Sequence, residues 1–250
     1  MSEIVIDALY KKYKPGLFKK PVEAVAGLSL RVPKGTVYGL VGPNGAGKST
    51  TIRMLLNLIR PDKGEVRIGN KSISAVANAD FLQAVGYLPE NPYLYDHLTL
   101  RELLRFAGKA CGMTAEQIAT RIEALTRQTG IAHALKRRLH TFSKGMRQRA
   151  GLCFALLHDP ELVILDEPMS GLDPLGRKMV CELILELKLQ GKTVFFCSHI
   201  LSDTERLCDR IAILDQGRLV REFEAEDLLA FRAGKRSLED EFVAAVGGTH

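Results

Sequence analysis

The sequence predicts an α/β fold: a parallel sheet with helices on both faces, preceded by further strands and interrupted by a helical lobe. Three observations lead there. Short runs alternating apolar and polar residues fill roughly the first seventy positions, helical spacing takes over from Thr99 to about Leu157, and two continuous apolar runs follow. Continuous apolar strands separated by helices are the mark of a parallel sheet buried on both sides.

The early strands are read from Ile4 and Ile6, from Leu28, Leu30 and Val32, and from Val66 and Ile68, with Gly and Pro between them. Val37 to Val41 is a compact apolar run, and Thr51 to Ile59 reads as the helix after it. In the lobe, Leu100, Leu103 and Leu104, then Ile118, Ile122 and Leu125, recur at helical intervals. Leu162 to Leu165 and Val194 to Cys197 are the two late strands, and Asp173 and Pro174 should cap and open the helix between them. Ligands of such sheets collect at the carboxyl ends of the strands. Those ends hold Gly42 to Ser49, Asp166 with Glu167, and Ser198 with His199. No internal repeat or low-complexity segment interrupts the pattern.

The 250 residues are 46% apolar, enough for a sizeable core, and 35 Lys and Arg against 29 Asp and Glu leave a mild net charge of +6. A solvated basic face explains that excess more simply than a nucleic-acid or membrane-surface partner. No run approaches the ~18 apolar residues of a membrane span, and Met1 to Asp7 lacks a signal-peptide pattern. The chain is therefore expected in the cytosol. Cys111, Cys153, Cys181, Cys197 and Cys208 show no metal-ligand spacing and read as reduced, mostly buried thiols.

Gly42-Pro43-Asn44-Gly45-Ala46-Gly47-Lys48-Ser49-Thr50 fits the phosphate loop G-x-x-x-x-G-K-[ST], after an apolar strand and before a helical run. Glycines let the backbone approach phosphates closely, and a helix N-terminus offers free N–H groups to an anion. Lys48 is expected to neutralise the β and γ phosphates of a bound nucleotide and Ser49 to ligate Mg²⁺. Such a loop by itself does not separate kinases, GTPases and motor ATPases. Asp166 is placed to hold that Mg²⁺, and Glu167 to orient or deprotonate a water. An Asp-Glu pair after a strand is by itself more often a solvated strand end; the phosphate loop reverses that reading. A plain glycine turn is the competing reading of the loop itself.

Phe142-Ser143-Lys144-Gly145-Met146-Arg147-Gln148-Arg149 and Leu165-Asp166-Glu167-Pro168-Met169-Ser170-Gly171-Leu172-Asp173-Pro174 resemble the signature motif, Walker B strand and D-loop of ABC ATPases. The resemblance covers about Ile4 to Val220. It implies a P-loop NTPase fold of ABC type: a mixed and parallel core with an antiparallel β subdomain at 1–89 and 159–220, a helical signature lobe at 90–158, and a short helical tail at 221–250. Ser143 then caps the signature helix, and Ser143 with Gly145 forms a second anion site closing over ATP held by another subunit. A two-fold axis makes such a head-to-tail dimer self-consistent, as homodimer or heterodimer. His199 matches the switch histidine that contacts the γ phosphate, and Tyr13 the aromatic that stacks on adenine, with Phe18 as its rival. Glu90 stands where the family usually has a glutamine and could also ligate Mg²⁺. Lys144 and Met146 depart from the common Gly and Gln.

The resemblance is nearest to ATPase subunits of ABC-2 type exporters, on Tyr87 to Glu90, Ser143 to Met146 and Leu238 to Phe242. It implies transmembrane permease partners, a place on the cytoplasmic face of the membrane, and docking through Pro92, Tyr93, Leu94, Tyr95 and Leu98, though core packing explains about half of these equally well. An ABC ATPase acting on nucleic acid or ribosomes is the alternative; the zinc-type cysteine clusters, coiled coils or tandem cassettes of those families do not occur in the sequence, so no nucleic-acid partner is expected. A GTPase lacks its N-K-x-D motif.

Overall fold

A computed structural model describes residues 3–14, 21–69, 71–75, 81 and 83–247. Phe18, the rival to Tyr13, lies outside them. Four strands, β1 (Ile4–Tyr13), β2 (Val22–Val32), β4 (Lys63–Ile68) and β5 (Lys71–Ser72), form an antiparallel sheet in the order β2-β1-β4-β5. The second sheet holds β3 (Val37–Val41), β6 (Val85–Leu88), β7 (Leu162–Asp166), β8 (Thr193–Ser198), β9 (Arg210–Asp215) and β10 (Arg218–Phe223). Its order is β10-β9-β3-β8-β7-β6, parallel throughout except for the antiparallel edge strand β10.

Strands β3, β7 and β8 are buried at every position, which is why their sequences run apolar without alternation. The pleat still divides them. Val37, Val163, Leu165, Val194 and Phe196 face the core shared with the helical lobe, whereas Tyr38, Leu40, Ile164, Phe195 and Cys197 face the core shared with the antiparallel sheet. Four cysteines are buried and Cys111 half-buried, all free; burial pushes the Cys153 thiol up to about 12. No helix among the described residues is long and apolar enough to cross a membrane.

Helix α1 (Lys48–Leu55) starts three residues before the expected Thr51 and stops short of Ile59. Gly47, in left-handed conformation, turns β3 directly into the helix, and left-handed Asn57 ends it, a geometry that periodicity does not encode. The lobe contains α2 (Leu100–Ala110), α3 (Ala115–Gln128) and α4 (Lys144–Leu156). Capping boxes open α2 at Thr99 with Glu102 and α3 at Thr114 with Gln117. Thr99→Ala should cost about 1 kcal/mol and lower the melting temperature by about 2–4 °C, read by calorimetry. An unchanged melt would show the cap to be redundant. Asp173 caps α5 (Pro174–Leu189) by accepting from Gly176 N at 3.0 Å, with Pro174 in the first turn, as read from the sequence. Helix α6 (Leu201–Leu207) precedes β9, and α7 (Ala225–Arg232) and α8 (Leu238–Gly247) follow β10, with Leu228, Phe231 and Leu238 buried in the lobe-side core.

Leu94 is buried in that same core, so it serves packing and not a docking surface, while Leu98 packs half-buried against it. Their spacing onto α2 makes them the hydrophobic entry to the lobe. Tyr93, 94% exposed, and Tyr95 stay outside, with the Tyr95 ring edge-on to exposed Phe106 at 6.5 Å.

Candidate active site

The loop after β3 is held from behind. A side chain on Gly42 would meet the Leu214 carbonyl at 2.2 Å, and one on Gly47 (φ 104°) the Ala24 carbonyl at 2.3 Å. Gly217 N donates to Ala46 O at 2.9 Å, tying the loop to the β9–β10 turn. The loop's front face is thereby free to take a ligand on N–H groups at the start of α1. Lys48 is buried, and its ammonium donates to the carbonyls of Gly42 at 2.7 Å and Pro43 at 3.2 Å. Those two residues thus stand behind the lysine, while Asn44, Gly45, Ala46, Gly47, Lys48, Ser49 and Thr50 line a cleft of about 530 Å³.

Tyr13, Glu90, Glu167 and His199 line the same cleft. Four separate elements deliver them: the end of β1, the turn after β6, and the ends of β7 and β8. Because β3, β8 and β7 are consecutive neighbours about 4.8 Å apart, their carboxyl ends meet within a nucleotide's length. Ser49 Oγ donates to Asp166 Oδ1 at 3.4 Å, and His199 Nδ1 donates to Glu167 Oε2 at 2.8 Å.

Asp166 is 4% exposed, and burial raises its carboxyl above the usual range. The Ser49 hydroxyl and Lys48 oppose that shift, while the charges of Glu167 and Glu90 add to it. The hydroxyl of Ser49 and the carboxylates of Asp166 and Glu90 are hard oxygen donors in an over-acidic pocket, which suits a divalent cation such as Mg²⁺. Among the described residues no three His, Cys, Asp or Glu form a closed metal cage. Mg²⁺ commonly keeps waters and substrate phosphates instead of a full protein shell, so the set fits it.

Two supports escaped the sequence reading. Glu167 adopts φ 49°, a left-handed conformation costing a non-glycine residue about 1–2 kcal/mol. Its N–H donates to Cys197 O at 3.1 Å, and its carbonyl accepts from Ser170 N at 3.0 Å. The buried amide of Gln148, on α4, donates to the carbonyls of Glu167 at 3.4 Å and Pro168 at 3.2 Å. Only a fold that brings α4 under this turn gives Gln148 that task. Ser170 and Ala24 also line the cleft, and no sequence pattern singled them out.

Ser143 and Gly145 are not brought to this cleft. They line another, of about 560 Å³, with Lys144, His133 and Asp173. Ser143 Oγ caps α4, accepting from Met146 N at 3.3 Å. Lys144 Nζ donates to Ser170 Oγ at 3.3 Å, so the rims of the two clefts touch at that bond.

A family model described as ABC transporter matches residues 25–170. An uncharacterized ABC transporter ATP-binding protein of Nostoc sp. is 46% identical over 231 residues, 91% of this chain and 68% of that protein. The bacitracin transport ATP-binding protein of Bacillus licheniformis is 41% identical over 82% of this chain and 66% of its own length. The chain thus spans about two thirds of these relatives. A solved ATP-binding subunit of an ABC transporter superposes with a TM-score of 0.85 at 32% identity, covering 97% of this chain and 98% of that one. A dimeric ATP-binding cassette bound to ADP and Pi shares the fold, with a TM-score of 0.82 at 23% identity over 89% of this chain and 98% of its own. The chain belongs to the ABC transporter family, as one of its ATP-binding and ATP-hydrolysing subunits.

Proposed function

We propose that this subunit powers export through separate permease chains, and that two subunits, identical or not, pair head to tail around ATP and Mg²⁺. The observation that carries this reading is the split site. One cleft holds the phosphate loop, Lys48 and Glu167, and a second opens at the N-terminus of α4, capped by Ser143. Each has half of what a buried triphosphate needs, and a two-fold axis joins the halves of two copies.

In this mechanism Tyr13 stacks on the base, and the loop from Gly42 to Thr50 wraps the phosphates. Lys48 swings from the Gly42 and Pro43 carbonyls to the β and γ phosphates. Ser49, Asp166 and Glu90 would hold Mg²⁺, which when bound would supply positive charge against that developing on the phosphates. Glu167, oriented by His199 and fixed at its backbone by Gln148, takes a proton from the attacking water. Ser143 and Gly145 of the opposing subunit present the start of α4 to the γ phosphate. Binding thereby closes the pair, and hydrolysis releases it.

Tyr93 and Tyr95, exposed beside Phe106, offer the apolar surface for a permease helix. The subunit then sits at the cytoplasmic face of the membrane. Export is supported by the similarity to a Nod factor export ATP-binding protein of Paraburkholderia xenovorans, 36% identical over 94% of this chain and 75% of that protein. A mixing experiment tests the pairing: Ser143→Arg and Lys48→Ala chains, each inactive alone, should regain up to about a quarter of parental ATPase when combined, since one of the two shared sites in each mixed pair is intact. No recovery on mixing would break the shared-site reading.

A further inference from the structure

Lys144 and Arg149 both line the cleft at the start of α4. Arg149 is engaged there, donating to the Thr129 carbonyl at 2.8 Å and standing 3.6 Å from Asp173. The exposed Lys144 ammonium has a single partner among the described residues, and that partner is neutral: Ser170 Oγ at 3.3 Å. Lys144 is also the first residue of α4, whose first turn contains no acid. A cation there meets the positive end of the helix dipole, which disfavours it. The fold of the lone subunit therefore has little use for a charge at this position, where the resemblance leads one to expect glycine and no side chain at all.

The side chain is nevertheless aimed. Its stem crosses Gly171 (φ 71°), where an added Cβ would come within 2.6 Å of Lys144 Cδ and 2.7 Å of Cε. Its head stops at Ser170, on the rim where the two clefts meet, although Lys144 itself lines only the second of them. A purely structural tie to the Glu167 turn is not needed here. Gln148, one turn further along α4, already holds that turn at the carbonyls of Glu167 and Pro168. Ser143 and Gly145, on either side of Lys144, are the residues turned toward ATP on the opposing subunit in the pairing proposed above. A lysine between them, on a flexible four-carbon stem, can exchange a neutral hydroxyl for a phosphate oxygen. Ion pairing of that kind gains strength as the joined clefts exclude water.

We propose that Lys144 is a phosphate-binding residue supplied in trans: when two subunits pair, its ammonium leaves Ser170 and donates to the γ phosphate of ATP held by the opposing subunit. The second cleft then grips the triphosphate with a charge as well as with N–H groups. This inference rests on the head-to-tail pairing of the proposed function.

Mixed pairs of full-length chains test it. When Ser143→Arg and Lys48→Ala chains combine, the intact site takes its phosphate loop and Glu167 from the first and its α4 start from the second. Lys144→Gln, which removes the charge and keeps a donor, should lower the recovered ATPase about tenfold when added to the Lys48→Ala chain. Added to the Ser143→Arg chain it faces the site already broken, and the recovered rate should stay within about twofold. Lys144→Arg in the Lys48→Ala chain should restore most of the rate. A binding measurement accompanies the rates: in the Glu167→Gln background, Lys144→Gln should weaken ATP-driven pairing at least about tenfold by sedimentation, while ATP affinity of the dilute, unpaired chain stays unchanged. The proposal is overturned if Lys144→Gln is harmless in the Lys48→Ala chain, or if the loss arises from the Ser143→Arg chain, which would make the lysine a tie to its own Glu167 turn. A melting temperature several degrees below the parent's also overturns it, since the lysine would then serve the fold. If the two chains recover nothing on mixing even with Lys144 intact, the pairing itself fails and this inference falls with it.

Discussion

Glu167→Gln should leave ATP binding intact and slow phosphate release at saturating ATP by about 10²- to 10³-fold, the usual contribution of a positioned general base. The change is nearly isosteric, so the His199 contact at 2.8 Å can persist through the amide oxygen and the strained turn keeps its backbone bonds. What disappears is proton affinity at the carboxylate. Because ATP then stays uncleaved, size-exclusion chromatography with ATP should also show the variant accumulating as a pair. Turnover within a few-fold of the parent would place the base elsewhere.

Lys48→Ala acts a step earlier, on binding. Its ammonium is the cation best placed over the phosphate loop, 8% exposed and held on two loop carbonyls. Losing charged hydrogen bonds to phosphate should weaken ATP binding about 10- to 100-fold by isothermal titration. The loop itself should survive, since Gly42, Gly47 and the Gly217 bond hold it independently of the lysine. Unchanged affinity would mean the triphosphate does not lie along this loop.

Much of the fold was legible because its signals are local. The alternation of β1 and β2, the unbroken apolar runs of β3, β7 and β8, and the Asp173-Pro174 start of α5 each follow from a few adjacent residues. The phosphate loop was legible for the same reason. What was missed depends on residues distant in sequence. Gln148 looks like any polar helical residue until α4 lies beneath the Glu167 turn, and the left-handed backbone of Glu167 is stabilised by Cys197, thirty positions away. Leu94 could be read as docking surface or as core, because an apolar cluster in a loop carries no period from which to judge its facing.

The lobe leaves the sheet at the end of β6 and returns to its neighbour β7, so for all its size it occupies the place of a single crossover helix. The descending limb of any such crossover runs opposite to the strands, and here that limb is α4. Its beginning therefore points toward the same rim of the molecule as the beginning of α1. Residues 89–143 separate the two helix starts along that rim, so a single polypeptide carries both of the anion-facing ends that the proposed pairing needs.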